Sequence, residues 1–356
     1  MAKVADVFSH IVSCVLCDRE VDWRLFEGFS SDAWERLYGL SVKQGVVAVI
    51  FDKLKRLPQE VAPPKALLMK WLRHTLSVER KMVEKRDAAV DFSGLLSKRG
   101  IRTVVLKGIA FASYYPNLYH REYGDLDCYM FGMNEAGDEA AVIAGAKKKD
   151  AGYKHSHLYY RGLTIENHTY LTSFDNSKYG IKTELLLRQL IEDGCTYIDG
   201  TDLLIPSAEF NAIFLIKHAQ RHFIKEGLCV RHVLDWGFFL KAEAENINWD
   251  RVVSMMKECR ILNFAKVMTS LCVVRLGMPV DVQELGGCAV DDAAVYADIL
   301  AGYPDLHHEN LKQKAARIVR RCYRMWKFRS LAHESYCRLI LNSLLFNSYI
   351  KIKPRI

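Results

Sequence analysis

Val105-Leu106-Lys107-Gly108 and, further on, Gly124-Asp125-Leu126-Asp127-Cys128-Tyr129 decide how this chain reads. The β-branched run Ile101 to Leu106 follows Gly100 and has the composition of a short buried strand. Leu126 to Phe131 reads as a second strand. Asp125 and Asp127 flank Leu126, so they project to one face, because side-chain direction in a strand repeats every two residues. Two carboxylates so placed repel each other, and a divalent cation relieves that repulsion. Hard oxygen donors at this spacing suit Mg²⁺, which binds through one or two carboxylates plus substrate phosphates; Mn²⁺ is the alternative ion. Gly108 would let a backbone amide approach a phosphate, while Lys107 and Arg121 supply positive charge. This is the donor set of a phosphoryl-transfer site.

Outward from that stretch, Tyr153 to Tyr160, then Arg161-Gly162, then Leu163 to Tyr170 form two alternating runs about a glycine link, an antiparallel hairpin. Residues 135–150, rich in Ala and Lys, suit a helix. A third strand is expected over Gly180 to Leu187, after the polar turn Asp175-Asn176-Ser177. Upstream, Trp23, Phe26, Trp34, Leu37 and Leu40 recur at helical spacing, and a long pattern from Lys65 to Lys98 ends at Gly100. Downstream, Ser207 is placed to cap a helix, and further helices are expected over 249–260, 262–276 and 291–302, with a basic pair over 310–350. The expected fold class is α+β. A small mixed sheet over 100–205 stands between an N-terminal helical region, 1–99, and a C-terminal helical domain, 206–356.

Half of the 356 residues are hydrophobic and 26% are charged, which excludes a disordered chain. The formal net charge of +8 favours a polyanionic partner such as a nucleotide. Ten cysteines are scattered through apolar segments without the framework of a small secreted domain, so reduced thiols are expected. The apolar run from Leu339 to Ile352 is interrupted by Asn342, Asn347 and Lys351, which argues against membrane insertion. The first residues carry no apolar core of signal-peptide length, and a cytoplasmic location is expected.

Leu106-Lys107-Gly108, Tyr115-Pro116, Arg121 and Gly124-Asp125-Leu126-Asp127 together resemble the signature of the uncharacterised nucleotidyltransferase family, within the DNA polymerase β-like superfamily. Lys107 stands where the wider superfamily has its first glycine, and the gap to the acids is longer than usual. Ile165-Glu166-Asn167-His168 is similar to the family's strand bearing a third carboxylate. The segments Lys217 to His222 and Arg231 to Trp236 are similar to its helical motif after the sheet.

The resemblance implies a nucleotidyltransferase core with Asp125, Asp127 and Glu166 as catalytic, metal-holding carboxylates. Glu184 is the rival for the third position. Lys107, Gly108, Arg121, His218 and His222 are the candidate nucleotide-binding residues. His218 and His222 share a helical face, but Ala219 between them excludes the metalloprotease motif. Arg231 and Asp235 are expected to form a structural ion pair.

The implied activity moves a nucleoside monophosphate from an NTP to an unidentified acceptor. The alternative is a catalytically inactive nucleotide-binding or partner-binding module of the same fold. Arg317 to Arg329, basic with interleaved aromatics, would suit a nucleic acid, but an amphipathic helix whose arginine stems cover its own core is the favoured reading.

Overall fold

The computed structural model describes residues 2–149, 152, 154–173, 177–287, 290–302 and 311–345. The N-terminal region forms α1 (Ala2–Cys17), α2 (Ser31–Lys43), α3 (Val47–Leu54) and the long α4 (Lys65–Ser97). Ser30 caps α2 by accepting the Ala33 amide, and Pro64 immediately precedes α4.

The centre runs β1 (Thr103–Val105), α5 (Ile109–Ala112), β2 (Asp125–Tyr129), α6 (Asn134–Ile143), β3 (Lys147–Lys149), β4 (His155–Tyr160), β5 (Leu163–His168), α7 (Lys178–Asp193), β6 (Cys195–Tyr197) and β7 (Leu203–Pro206). The strands make one mixed seven-stranded sheet in the order β3-β4-β5-β2-β1-β7-β6, with β2 parallel to β5 and β1 parallel to β7. The fold class is α+β. The hairpin reading holds for β4 and β5, turning at Arg161 and Gly162 with positive φ; Tyr153 lies outside the described residues.

Two sequence readings are corrected. Gly180 to Leu187 is not a strand but lies within α7. Ser177, taken as part of a turn, caps that helix by accepting the Tyr179 and Gly180 amides. Thr183, Leu187, Leu190 and Ile191 then fall on one buried helical face. The helix expected over 135–150 ends at Ile143, because Gly145 takes φ +93° and the Ala146 amide folds back onto the Ala141 carbonyl. The lysines that follow pair as β3 at the sheet edge, where charged residues discourage further pairing.

The C-terminal region comprises α8 (Ala208–Lys225), α9 (Val230–Glu243), α10 (Trp249–Glu258), α11 (Leu262–Ser270), α12 (Asp292–Ala301), α13 (Leu311–Lys327) and α14 (Tyr336–Leu345). One hydrophobic core runs continuously from Phe8 and Trp34 through Phe92 and Val104 to Phe239 and Ile299. The two helical regions meet directly. Ser13 donates to the Leu276 carbonyl at 2.5 Å, and Tyr296 donates to Ser9 at 3.0 Å. The Gln44 amide donates to Ile299 at 3.0 Å and accepts the Val230 amide at 2.8 Å. Lys43 reaches the Ala301 carbonyl. No described helix is long and apolar enough to cross a membrane.

Candidate functional site

Register places the acids. In the parallel pair β2 and β5, Asp127 stands opposite Glu166 and Asp125 opposite Thr164. Their sequence neighbours Leu126, Cys128 and Ile165 are fully buried, while α4 and α6 pack on the sheet. Asp125, Asp127 and Glu166 therefore share one face, and one ligand oxygen of each lies within 4.8 Å of the others. Asp127 is 2% exposed, and its Oδ2 has no hydrogen-bond partner among the described residues. An orphaned carboxylate oxygen inside an acidic trio fits a divalent cation, because leaving it unsatisfied in a buried site is costly.

The carboxylates differ in electrostatics. Burial, and then the Asp127 charge, raise the pKa of Asp125. Burial also works against Asp127, but the His168 hydrogen bond and the Lys107 ammonium outweigh it and hold this carboxyl below the usual range. Lys107 lies 3.0 Å from Asp127 Oδ1, so the departure from the superfamily's glycine becomes an ion pair in the ligand-free chain. Glu166 is lowered in the same way, burial being outweighed by His168.

Facing the acids is a cavity of about 380 Å³, whose opposite wall is α8. Lys107, Lys154, Lys217 and Arg221 line it together with the three acids. His218 and His222 line it too, one helical turn apart. Burial depresses the pKa of both histidines, so α8 presents neutral imidazoles among the cations. Lys154, which was not read from the sequence as a site residue, is pulled down to about 8, mainly by burial. Lys217 and Arg221 sit in a stretch the resemblance had marked, but only their helical phase relative to His218 and His222 turns them to the cleft.

Other expected residues have different work. Arg121, expected at a phosphate, forms a bidentate pair with Asp235 at 2.8 Å, and its remaining Nη1 donates to the Gly108 carbonyl at 3.3 Å. Tyr115 donates to the same Asp235 oxygen at 2.7 Å. Tyr115, Arg121 and Asp235 thus anchor the segment between β1 and β2 onto α9. The expected Arg231–Asp235 ion pair is replaced accordingly, and Arg231 donates instead to the Glu122 carbonyl at 3.1 Å. Gly108 takes φ +71°, a left-handed conformation that asks for glycine. Lys85 on α4, unread in the sequence, donates to the Tyr123 and Gly124 carbonyls at 2.5 and 3.0 Å and fixes the approach to β2.

Glu184, the rival carboxylate, is fully buried on α7, where it accepts the Leu171 and Thr172 amides and pairs with Arg188. It holds a loop. On α13, Arg324 is buried, pairs with Asp298 and packs over the Phe223 and Phe328 rings, as an arginine stem covering a core does. The nine described cysteines are free thiols.

No curated protein and no solved structure matches the chain. The family model described as an uncharacterised nucleotidyltransferase matches residues 30–277, from the cap of α2 to the turn after α11, and so takes in the acidic trio, the cationic wall and the Arg121–Asp235 anchor. The chain belongs to the uncharacterised nucleotidyltransferase family.

Proposed function

We propose that the chain is a metal-dependent nucleotidyltransferase that takes an NTP as donor and passes its nucleoside monophosphate to an acceptor hydroxyl or similar nucleophile, releasing pyrophosphate. The observation that supports this best is the meeting in one cavity of three converging carboxylates with four cationic side chains. A triphosphate with its divalent ion needs both walls, since acids alone repel phosphate and cations alone repel the metal. Asp125, Asp127 and Glu166 would hold Mg²⁺, or Mn²⁺ in its place, and the ion would supply charge neutralisation at the phosphates.

The chain's own residues do the rest. Lys107, Lys154, Lys217 and Arg221 bind and orient phosphate oxygens, so that the acceptor can be held in line with the α-phosphorus. Neutral His218 offers one N–H donor to phosphate without adding to a cluster of like charge, whereas the His222 N–H is already donated to Glu226 at 2.9 Å. Gly108 keeps the strand end close against the cleft. Arg121 acts one step back, by fixing Gly108 and the loop through Asp235.

The test uses full-length protein, Mg²⁺ and each labelled NTP, with cell extract as the source of acceptor. Label transfer and pyrophosphate release are expected in wild type, and a fall of at least about a hundredfold in Asp125→Asn, equivalent to roughly 2.7 kcal/mol of transition-state stabilisation. Nucleotide binding with no turnover for any NTP would instead assign the chain to the inactive, nucleotide-binding reading. Absence of metal-dependent nucleotide binding would remove both.

A further inference from the structure

We propose that His155, Glu166 and His168 form a second metal position beside the acidic trio, and that it takes a divalent transition ion with imidazole affinity rather than Mg²⁺. On the antiparallel pair β4 and β5, His155 stands directly opposite His168, and Glu166 lies two residues before His168 on the same face. One ligand atom from each lies within 4.8 Å of the others.

The orientation of His168 carries the argument. Its Nδ1 is 3.0 Å from the Tyr170 carbonyl, an oxygen that only accepts, so Nδ1 bears the hydrogen. That leaves Nε2 facing two carboxylates, Asp127 Oδ1 at 3.0 Å and Glu166 Oε2 at 3.6 Å. A neutral ring would point a lone pair at both acids, which is repulsive unless a cation lies between them. A metal ion there would satisfy both, with the Tyr170 carbonyl as the outer partner that fixes a ligating histidine's tautomer.

His155 supplies the second, independent sign. Its Nδ1 is buried without a hydrogen-bond partner among the described residues, 3.5 Å from Glu166 Oε2. Two imidazoles and one carboxylate suit Mn²⁺, Co²⁺ or Zn²⁺, whereas Mg²⁺ prefers oxygen alone. Glu166 belongs to both donor sets, one all-oxygen and one nitrogen-rich, so the two positions differ in which ion they choose. The proposal stands on the histidines and requires no nucleotide chemistry.

The experiment titrates Co²⁺ alone into chelator-stripped, full-length protein, read by calorimetry, visible absorption and proton NMR. Binding of Co²⁺ with hyperfine-shifted, exchangeable imidazole N–H resonances is expected. His155→Gln, at a partly exposed position, should weaken Co²⁺ at least tenfold and remove a shifted resonance while leaving metal-free thermal unfolding and Mg²⁺ affinity unchanged. Asp125→Asn should do the reverse, lowering Mg²⁺ affinity and changing Co²⁺ by less than about threefold. His168→Gln is the stricter variant where it folds. Co²⁺ affinity unaffected by His155→Gln, or a Co²⁺ spectrum without imidazole resonances, would overturn the assignment and leave the nucleotidyl-transfer reading untouched.

Discussion

At the scale of single residues, the two aspartates of β2 look equivalent in the sequence and are not equivalent in the fold. Asp127 is buried, paired with Lys107 and hydrogen-bonded by His168, whereas Asp125 is destabilised first by burial and then by its neighbour's charge. Substitution in metal-free protein should therefore split in sign. Asp125→Asn is expected to leave stability unchanged or raise it by up to about 1 kcal/mol, because it removes one member of a like-charge cluster. Asp127→Asn is expected to cost on the order of 3 kcal/mol, since it strands the Lys107 ammonium and His168. Thermal unfolding in a chelator measures both, and equal shifts for the two variants would contradict this account. Lys107 is tested at the same scale. Lys107→Met should lower metal-free stability by breaking the ion pair seen here. If the ammonium also moves to phosphate once metal holds Asp127, the variant should weaken NTP binding in saturating Mg²⁺ by at least about tenfold, or 1.4 kcal/mol. Calorimetry in Mg²⁺ decides it, since a lysine that serves only the apo pair would leave NTP affinity intact.

At the scale of elements, His120 shows how the helical region grips the loop that leads to the site. It is 4% exposed, and its two ring nitrogens lie 2.6 Å from Asp52 of α3 and 2.6 Å from Glu79 of α4. Burial disfavours the imidazolium, but the two carboxylates outweigh it and raise the pKa. A raised folded pKa means that this clamp contributes fully below the unfolded value near 6.5 and is lost as pH rises through the folded value. Urea unfolding from pH 6 to pH 9 should show wild type losing its advantage over His120→Gln across that window; a constant gap would contradict the clamp.

Elements also set what was legible beforehand. Asp125 and Asp127 could be read as neighbours on one face because a period of two is a local consequence of strand geometry, whereas Glu166 entered through the family resemblance, since its register against β2 is a long-range pairing. The helix over Lys178–Asp193 was missed because its cap, Ser177, resembles a turn residue until the Leu187, Leu190 and Ile191 face is seen buried. The pairing of Arg121 was not legible for a different reason. Asp235, the partner that claims its guanidinium, lies more than a hundred residues away, and no local pattern in the sequence announces it. Lys85 and Lys154 were likewise invisible as site residues, since their approach to β2 and the cleft depends on how α4 and β4 dock.

At the scale of the molecule, the segment matched by the family model stops at residue 277, yet the ties between the helical regions continue beyond it. Gln44 reaches Ile299, and Lys43 reaches Ala301. A chain truncated after residue 277 should leave the buried Gln44 amide short of its acceptors, a cost of about 1–3 kcal/mol, and uncover the apolar faces that Val295 and Ile299 seal. Faster proteolytic cleavage within α1 to α3 of the truncated chain is the expected readout; an unchanged pattern would show that α12 is dispensable. The same ties have a consequence in time. On a ribosome α1 to α3 emerge well before their partners near residues 299–301. At about 5–20 residues per second, Gln44 waits on the order of 10–50 s for its acceptors. Throughout that interval Phe8, Ile11 and Trp34, all buried in the finished core, have no C-terminal region to close over them. Synthesis therefore passes through a long stage in which α1 to α3 are the kind of client that holding chaperones recognise, and the emergence of α12 ends that dependence.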